Sequence, residues 1–140
     1  GSQLLAEVLG AQVYPNSQKE IGWFDIQLTD AARQGLLSHC PEAIKVFHWH
    51  GDTYTLPEGA VLLASSEATL NQGFVYGRNV VGLQFHFEVD ERSIEGMNCA
   101  FDHELVKAEF VQTDAEIKSQ IHLVTQNNAM LFKLLDHLEA

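Results

Sequence analysis

Basic residues are scarce in this chain: lysine and arginine number 8 against 19 aspartates and glutamates, giving a formal net charge of −11 over 140 residues. A nucleic-acid backbone or an anionic membrane needs a basic patch on its partner, so this balance argues against both. Cysteine is scarcer still. Cys40 and Cys99 are the two present, and neither belongs to a C-x-x-C pair. A disulfide framework and a thiolate zinc site are therefore not expected, and both thiols read as small structural hydrophobes. Apolar runs are short: none approaches the ~20 residues of a membrane span, and no basic-then-apolar leader opens the chain. A cytoplasmic location is expected. Internal repeats and low-complexity stretches are also lacking. What remains is one domain's worth of chain whose 46% hydrophobic content suits a globular core.

The pattern of elements runs helix, strands, then helices, which fits α/β or α+β. Residues 3–9 predict a short helix closed by Gly10. Ala11–Tyr14 reads as a strand ended by Pro15-Asn16, and Ile21–Leu28 as another. Asp30 is placed as the cap of a small helix over Ala31–Leu37. Strands are expected at Lys45–Trp49, Gly59–Ala64, Gly73–Tyr76 and Asn79–Phe87. They are separated by turn chemistry at Gly51-Asp52, Leu56-Pro57-Glu58-Gly59 and Gly77-Arg78-Asn79. Asp90 is a candidate N-cap for a helix reaching Phe101, and Thr113-Asp114-Ala115-Glu116 has capping-box spacing. The apolar positions Ile117, Ile121, Val124, Leu131, Leu134, Leu135 and Leu138 then suit one long amphipathic helix.

Two constellations bear chemistry. The run Val81-Gly82-Leu83-Gln84-Phe85-His86-Phe87-Glu88 reads as a buried strand ending in a histidine and a carboxylate. Side chains at i and i+2 share a strand face, so Glu88 can orient the His86 imidazole. A base held by such a group is two-thirds of a nucleophilic triad. The second, His48-Trp49-His50-Gly51-Asp52, also sits at a strand end beside a turn, where open α/β sheets place ligands. His39, His103, His122 and His137 have no partners at useful spacing and read as surface or satisfied histidines. Metal binding is the alternative reading, with His48, His50, His86 and Glu88 as a four-ligand set of the kind a cupin-like barrel builds. The Glu that pattern wants soon after H-x-H is missing, because Glu58 lies too far on. No metal or cofactor is therefore expected.

Taken in order, four segments resemble the class I glutamine amidotransferases. Gln84-Phe85-His86-Phe87-Glu88 is similar to that family's Gln-Phe-His-Pro-Glu signature, with Phe87 at the Pro position. His50-Gly51-Asp52 followed by Leu56-Pro57-Glu58-Gly59 resembles its His-Gly-Asp turn and the Leu-Pro beyond it. Gly1-Ser2-Gln3-Leu4-Leu5-Ala6 resembles the tail of its nucleophile elbow, C-x-G-x-Q-x-x-A. Lys19-Glu20-Ile21-Gly22-Trp23 is similar to a segment of stand-alone members related to the glutaminase domain of GMP synthetase.

The resemblance implies a flavodoxin-like three-layer α/β domain, of which residues 1–140 would be the C-terminal part, without the N-terminal half. It implies hydrolysis of the glutamine side-chain amide through a Cys-His-Glu triad, with ammonia passed to an acceptor. His86 would be the base and Glu88 its orienter. Gln3, Trp49, His50, Gly51 and Asp52 would hold glutamine or another γ-glutamyl compound. The nucleophilic Cys would lie two residues ahead of Gly1, and neither Cys40 nor Cys99 has an elbow's context. The chain by itself is thus expected to be inactive, and to self-associate or to need the missing half, since uncovered strand edges and apolar faces seek partners. A non-catalytic binding or assembly module of the same fold is the competing reading, ahead of a His-rich metal-binding β-domain.

Overall fold

The computed structural model describes residues 1–140. Five antiparallel strands form one sheet in the order β2-β1-β3-β4-β5. They are β1 (Val13–Leu28), β2 (Ala43–Tyr54), β3 (Ala60–Ser66), β4 (Gly73–Tyr76) and β5 (Val80–Leu83). The helices are α1 (Ser2–Val8), α2 (Asp30–Gln34), α3 (Glu91–Ala100), α4 (Asp114–Lys118) and α5 (Leu123–Glu139). The sheet curls. Beyond β5 the chain crosses back to β2, where the His86 N–H donates to the Phe47 carbonyl at 2.8 Å.

Several elements differ from the sequence expectation. Pro15-Asn16 does not end a strand: β1 runs on, and the irregularity is a register shift in which Pro15 pairs with Asp52 and Glu20 with His50. Four residues of β1 bulge out there against the single Gly51, a tight fit because a Cβ on Gly51 would meet the Lys19 stem at 3.3 Å. Gly51-Asp52 is accordingly not the turn expected from sequence but lies inside β2. Thr29, not Asp30, caps α2, its hydroxyl accepting from Ala32 N–H. The strand expected to reach Phe87 ends at Leu83, and His86 joins β2 through an isolated bridge.

Two apolar cores flank the sheet because β1 and β2 alternate. One joins Ile26, Leu28, Ile44 and Val46 to Phe85, Phe87, Met130 and Leu134. The other joins Ile21, Trp23 and Phe47 to Val89, Ile94, Val111 and Ile117. The single long helix expected after Thr113 is split into α4 and α5. Ile117 belongs to one core and Met130 and Leu134 to the other, while Leu123 and Val124 at the start of α5 still pack against the Ile117 core. Cys40 packs half-buried against the first core, as expected, and burial pushes its thiol up to about 11. Cys99 is exposed, contrary to the expectation of a buried hydrophobe.

Candidate functional site

Phe85 and Phe87 anchor the catalytic-looking segment. Both rings are buried and meet edge-to-face at 4.8 Å, which turns the intervening His86 and the following Glu88 outward. Phe87, at the position where the resembled signature has Pro, is therefore a core side chain. Asn128 on α5 clamps the exit, its Nδ2 donating to the Phe87 and Val89 carbonyls at 2.7 and 3.1 Å. His86 Nδ1 then lies 2.6 Å from Glu88 Oε1. The pair forms as the i, i+2 argument expects, although on bent chain rather than on a regular strand. Burial pushes the Glu88 carboxyl up, but the hydrogen bond and charge of His86 outweigh it and hold the group below the usual carboxylate range. A groove of about 310 Å³ opens on the pair, lined by His86, Glu88, Val89, Asp90, Ser93 and Met97. Neither cysteine lines it.

α1 reaches this region because Gly82 on β5 has no side chain: a Cβ there would meet the Phe74 ring at 2.8 Å and Ser2 Cβ at 3.2 Å. Docked so, α1 directs Gln3 Nε2 to the Asp52 carbonyl and to Gln84 Oε1, each at 3.3 Å. Gln84, two residues before His86, is buried, and its Nε2 donates to Thr53 Oγ1 at 3.4 Å. Gln3, Asp52 and the His86 segment are thereby joined in one polar chain. Gln84 is a member that sequence reasoning named in a motif but not as a site residue.

The remaining expected residues divide between the two sheet faces. Trp49 turns away, its ring near Phe47 and Phe101 and its Nε1 3.5 Å from Glu104 Oε1. Gly51 lies against Lys19. His50 is buried on the opposite face, with Nδ1 3.1 Å from the Asp52 carbonyl and Nε2 3.0 Å from Glu20 Oε2. His48 lies beside it, fully buried, with Nδ1 3.9 Å from the same oxygen. The four-ligand set weighed from sequence is thus replaced by a different cluster, Glu20, His48 and His50. Glu20 receives Ser66 and Thr69 hydroxyls at 2.7 Å each and Gln72 Nε2 at 2.6 Å. Burial raises this carboxyl, but His50, the charge of His48 and the two hydroxyls bring it down to about 2. Burial in turn depresses His48 to about 4, against the pull of Glu20. Sequence reasoning named Glu20 in a motif but not as a site residue. The signal available was a carboxylate directly ahead of the apolar run Ile21-Gly22-Trp23-Phe24, where a charge must find partners.

The glutamine amidotransferase class-I family model matches residues 1–113. A glutamine amidotransferase-like protein, YfeJ of Salmonella typhimurium, is 37% identical over 99% of this chain and 59% of its own length. The glutamine-hydrolyzing GMP synthase of Syntrophomonas wolfei is 36% identical, over 70% of this chain and 19% of that longer protein. Among solved structures, a glutamine amidotransferase from Thermotoga maritima superposes with a TM-score of 0.85 at 37% identity, covering 99% of this chain and 59% of that one. One from Methylobacillus flagellatus gives 0.92 at 24% identity over the same shares, a likeness of fold. The chain thus spans about three-fifths of YfeJ and of both solved structures, 59% in each case. With the His86–Glu88 pair, the Gln3–Asp52–Gln84 connections and the curled sheet all falling within the matched span, the chain belongs to the class-I glutamine amidotransferase family, in its α/β fold.

Proposed function

We propose that this chain contributes the base, its orienter and part of the substrate pocket to a glutaminase site that hydrolyses the side-chain amide of glutamine or another γ-glutamyl compound. The observation that supports this best is the 2.6 Å contact between His86 Nδ1 and Glu88 Oε1, which leaves Nε2 as the nitrogen to serve a nucleophile. His86 takes the thiol proton and returns it to departing ammonia, while Glu88 fixes the tautomer and balances the imidazolium. The thiol stands on a segment ahead of Gly1, and residues 1–140 form the C-terminal part of one amidotransferase domain. Gln3, Gly51 and Asp52 hold the substrate together with the backbone of His50, whose side chain is buried against Glu20. Trp49, directed to the other sheet face, supports that segment from behind. Ammonia passes to an acceptor bound elsewhere in the full assembly.

The test uses the full-length parent. His86→Ala is expected to lower glutaminase kcat/KM by at least about a hundredfold, the scale of a positioned acid–base group. Residues 1–140 alone should show no activity above background. An unchanged rate in the variant removes His86 from the mechanism.

A further inference from the structure

The buried cluster on the inner face of the curled sheet has an unusual donor balance. His48 Nε2 lies 3.3 Å from the Phe24 carbonyl and His50 Nδ1 lies 3.1 Å from the Asp52 carbonyl. A carbonyl oxygen only accepts, so each contact requires the imidazole N–H at that nitrogen. In neutral rings the lone pairs are then on His48 Nδ1 and His50 Nε2. Both atoms are buried without a hydrogen-bond partner, and both face Glu20 Oε2, at 3.9 and 3.0 Å. Three electron-rich atoms thus converge away from bulk solvent: Glu20 and His48 have no exposed side-chain surface, and His50 has 4%. Such a convergence is repulsive unless a cation sits within it.

We infer that Glu20, His48 and His50 bind one divalent transition-metal ion, Zn²⁺ above all, as a site separate from the His86–Glu88 pair. Two imidazoles and a carboxylate are a donor set for zinc. Tetrahedral bonds of about 2.0–2.1 Å put neighbouring ligand atoms about 3.3 Å apart, a value that the present 3.0 and 3.9 Å bracket. The outer contacts are those a metal site needs: each imidazole is tied through its other nitrogen to a backbone carbonyl, and the carboxylate is held by Ser66, Thr69 and Gln72. Those donors take three of the roughly four lone-pair positions of a carboxylate, leaving capacity for one more partner. Burial keeps His48 uncharged near neutral pH, the form that ligates. Glu20 and Ser66 also form part of the wall of a cavity of about 530 Å³, which would give an ion its entry path and leave room for a fourth ligand. The register shift between Pro15 and Glu20 brings Glu20 opposite His50, so the ion would staple the β1 bulge to β2 just before Gly51 and Asp52. This inference does not depend on the glutaminase reading.

The test is metal analysis of the purified protein after chelator treatment, followed by titration with Zn²⁺ alone and with Co²⁺ alone. About one equivalent per chain should bind, with visible Co²⁺ absorption typical of nitrogen–oxygen ligation and a Tm raised by several degrees at about a hundredfold excess over Kd. His48→Ala and His50→Ala should abolish the Co²⁺ bands, whereas His103→Ala, an exposed control, should keep them. Should the variants not fold, imidazole ¹⁵N shifts of the unaltered protein answer the question: Zn²⁺ should move His48 Nδ1 and His50 Nε2. No stoichiometric metal, bands that survive His48→Ala, or imidazole shifts unmoved by Zn²⁺ would overturn the site in favour of a proton shared between His50 and Glu20.

Discussion

Glu88 shows how exposure sets the weight of an interaction. Its side chain is 60% exposed and its partner His86 34% exposed, so water screens the pair and its contribution to folding is small. Its contribution to chemistry lies in direction. Glu88→Gln keeps the shape and loses the charge that balances an imidazolium. We expect kcat of the parent enzyme to fall about tenfold or more, yet by less than the ~10⁴ seen where a triad carboxylate is buried. Steady-state kinetics of the parent check this, and an unaltered kcat would leave Glu88 with no part in orienting the base. Gly82 makes the opposite case, a residue defined by having nothing beyond Cα. Gly82→Ala should press on Phe74 and Ser2, cost about 1–3 kcal/mol as an overpacking change, and loosen α1 with Gln3. Denaturant unfolding measures the cost, and a neutral result would mean that α1 is not docked through this contact.

Among the elements, α3 and α4 are set by their caps. Asp90 and Ser93 form a reciprocal box at α3, as do Thr113 and Glu116 at α4. The Asp90 cap and the Thr113 box were legible in the sequence because a cap is a local pattern, needing only the next three residues, whereas the reciprocal bond from Ser93 emerged only in the structure. Thr113→Ala should cost about 1 kcal/mol, read as a shifted urea midpoint with unchanged slope. Acid should undo both boxes. The Ser93 N–H and hydroxyl hold Asp90 below its ordinary 3.8, and Lys107 with the Thr113 N–H holds Glu116 below 4.5. A depressed carboxyl stabilises fully above its ordinary value, and that contribution is lost as pH falls through the lower folded value. Hydrogen-exchange protection of the first turns of α3 and α4 should therefore decline below about pH 4.5, and constant protection to pH 2 or lower would contradict the sign. The α4–α5 break was not legible, since the apolar spacing continues through it.

At the scale of the whole molecule, β5 stands at the end of the sheet order. Beside it Gly1, Leu5, Val81, Leu83, Leu131 and Leu135 line an apolar groove of about 430 Å³. A free strand edge next to apolar side chains favours association, while a net charge of −11 opposes it. We expect residues 1–140 alone to form species larger than the 15.6 kDa monomer at low micromolar concentration, more so as salt screens the charge. Light scattering across a salt series checks this, and a monodisperse monomer with cooperative melting would refute it.

By itself the amino-acid sequence determined what depends on near neighbours in the chain. It placed the caps at Asp90 and Thr113, the His86–Glu88 pair two residues apart, and the family motifs from Gln3 to Glu88. The tertiary structure decided what depends on residues far apart. Glu20 meets His48 and His50 only because β1 bulges by four residues against one before pairing with β2, and a bulge leaves no periodic trace in the sequence. Gln3 reaches Asp52 across 49 positions and Gln84 across 81, through a helix seated on a glycine. Burial is likewise a property of the folded whole. The curled sheet buries Glu20 among His50, His48 and two hydroxyls that bring its carboxyl down to about 2 against the pull of burial, and buries His48 so that its imidazole falls to about 4, whereas Glu88 is left half in water.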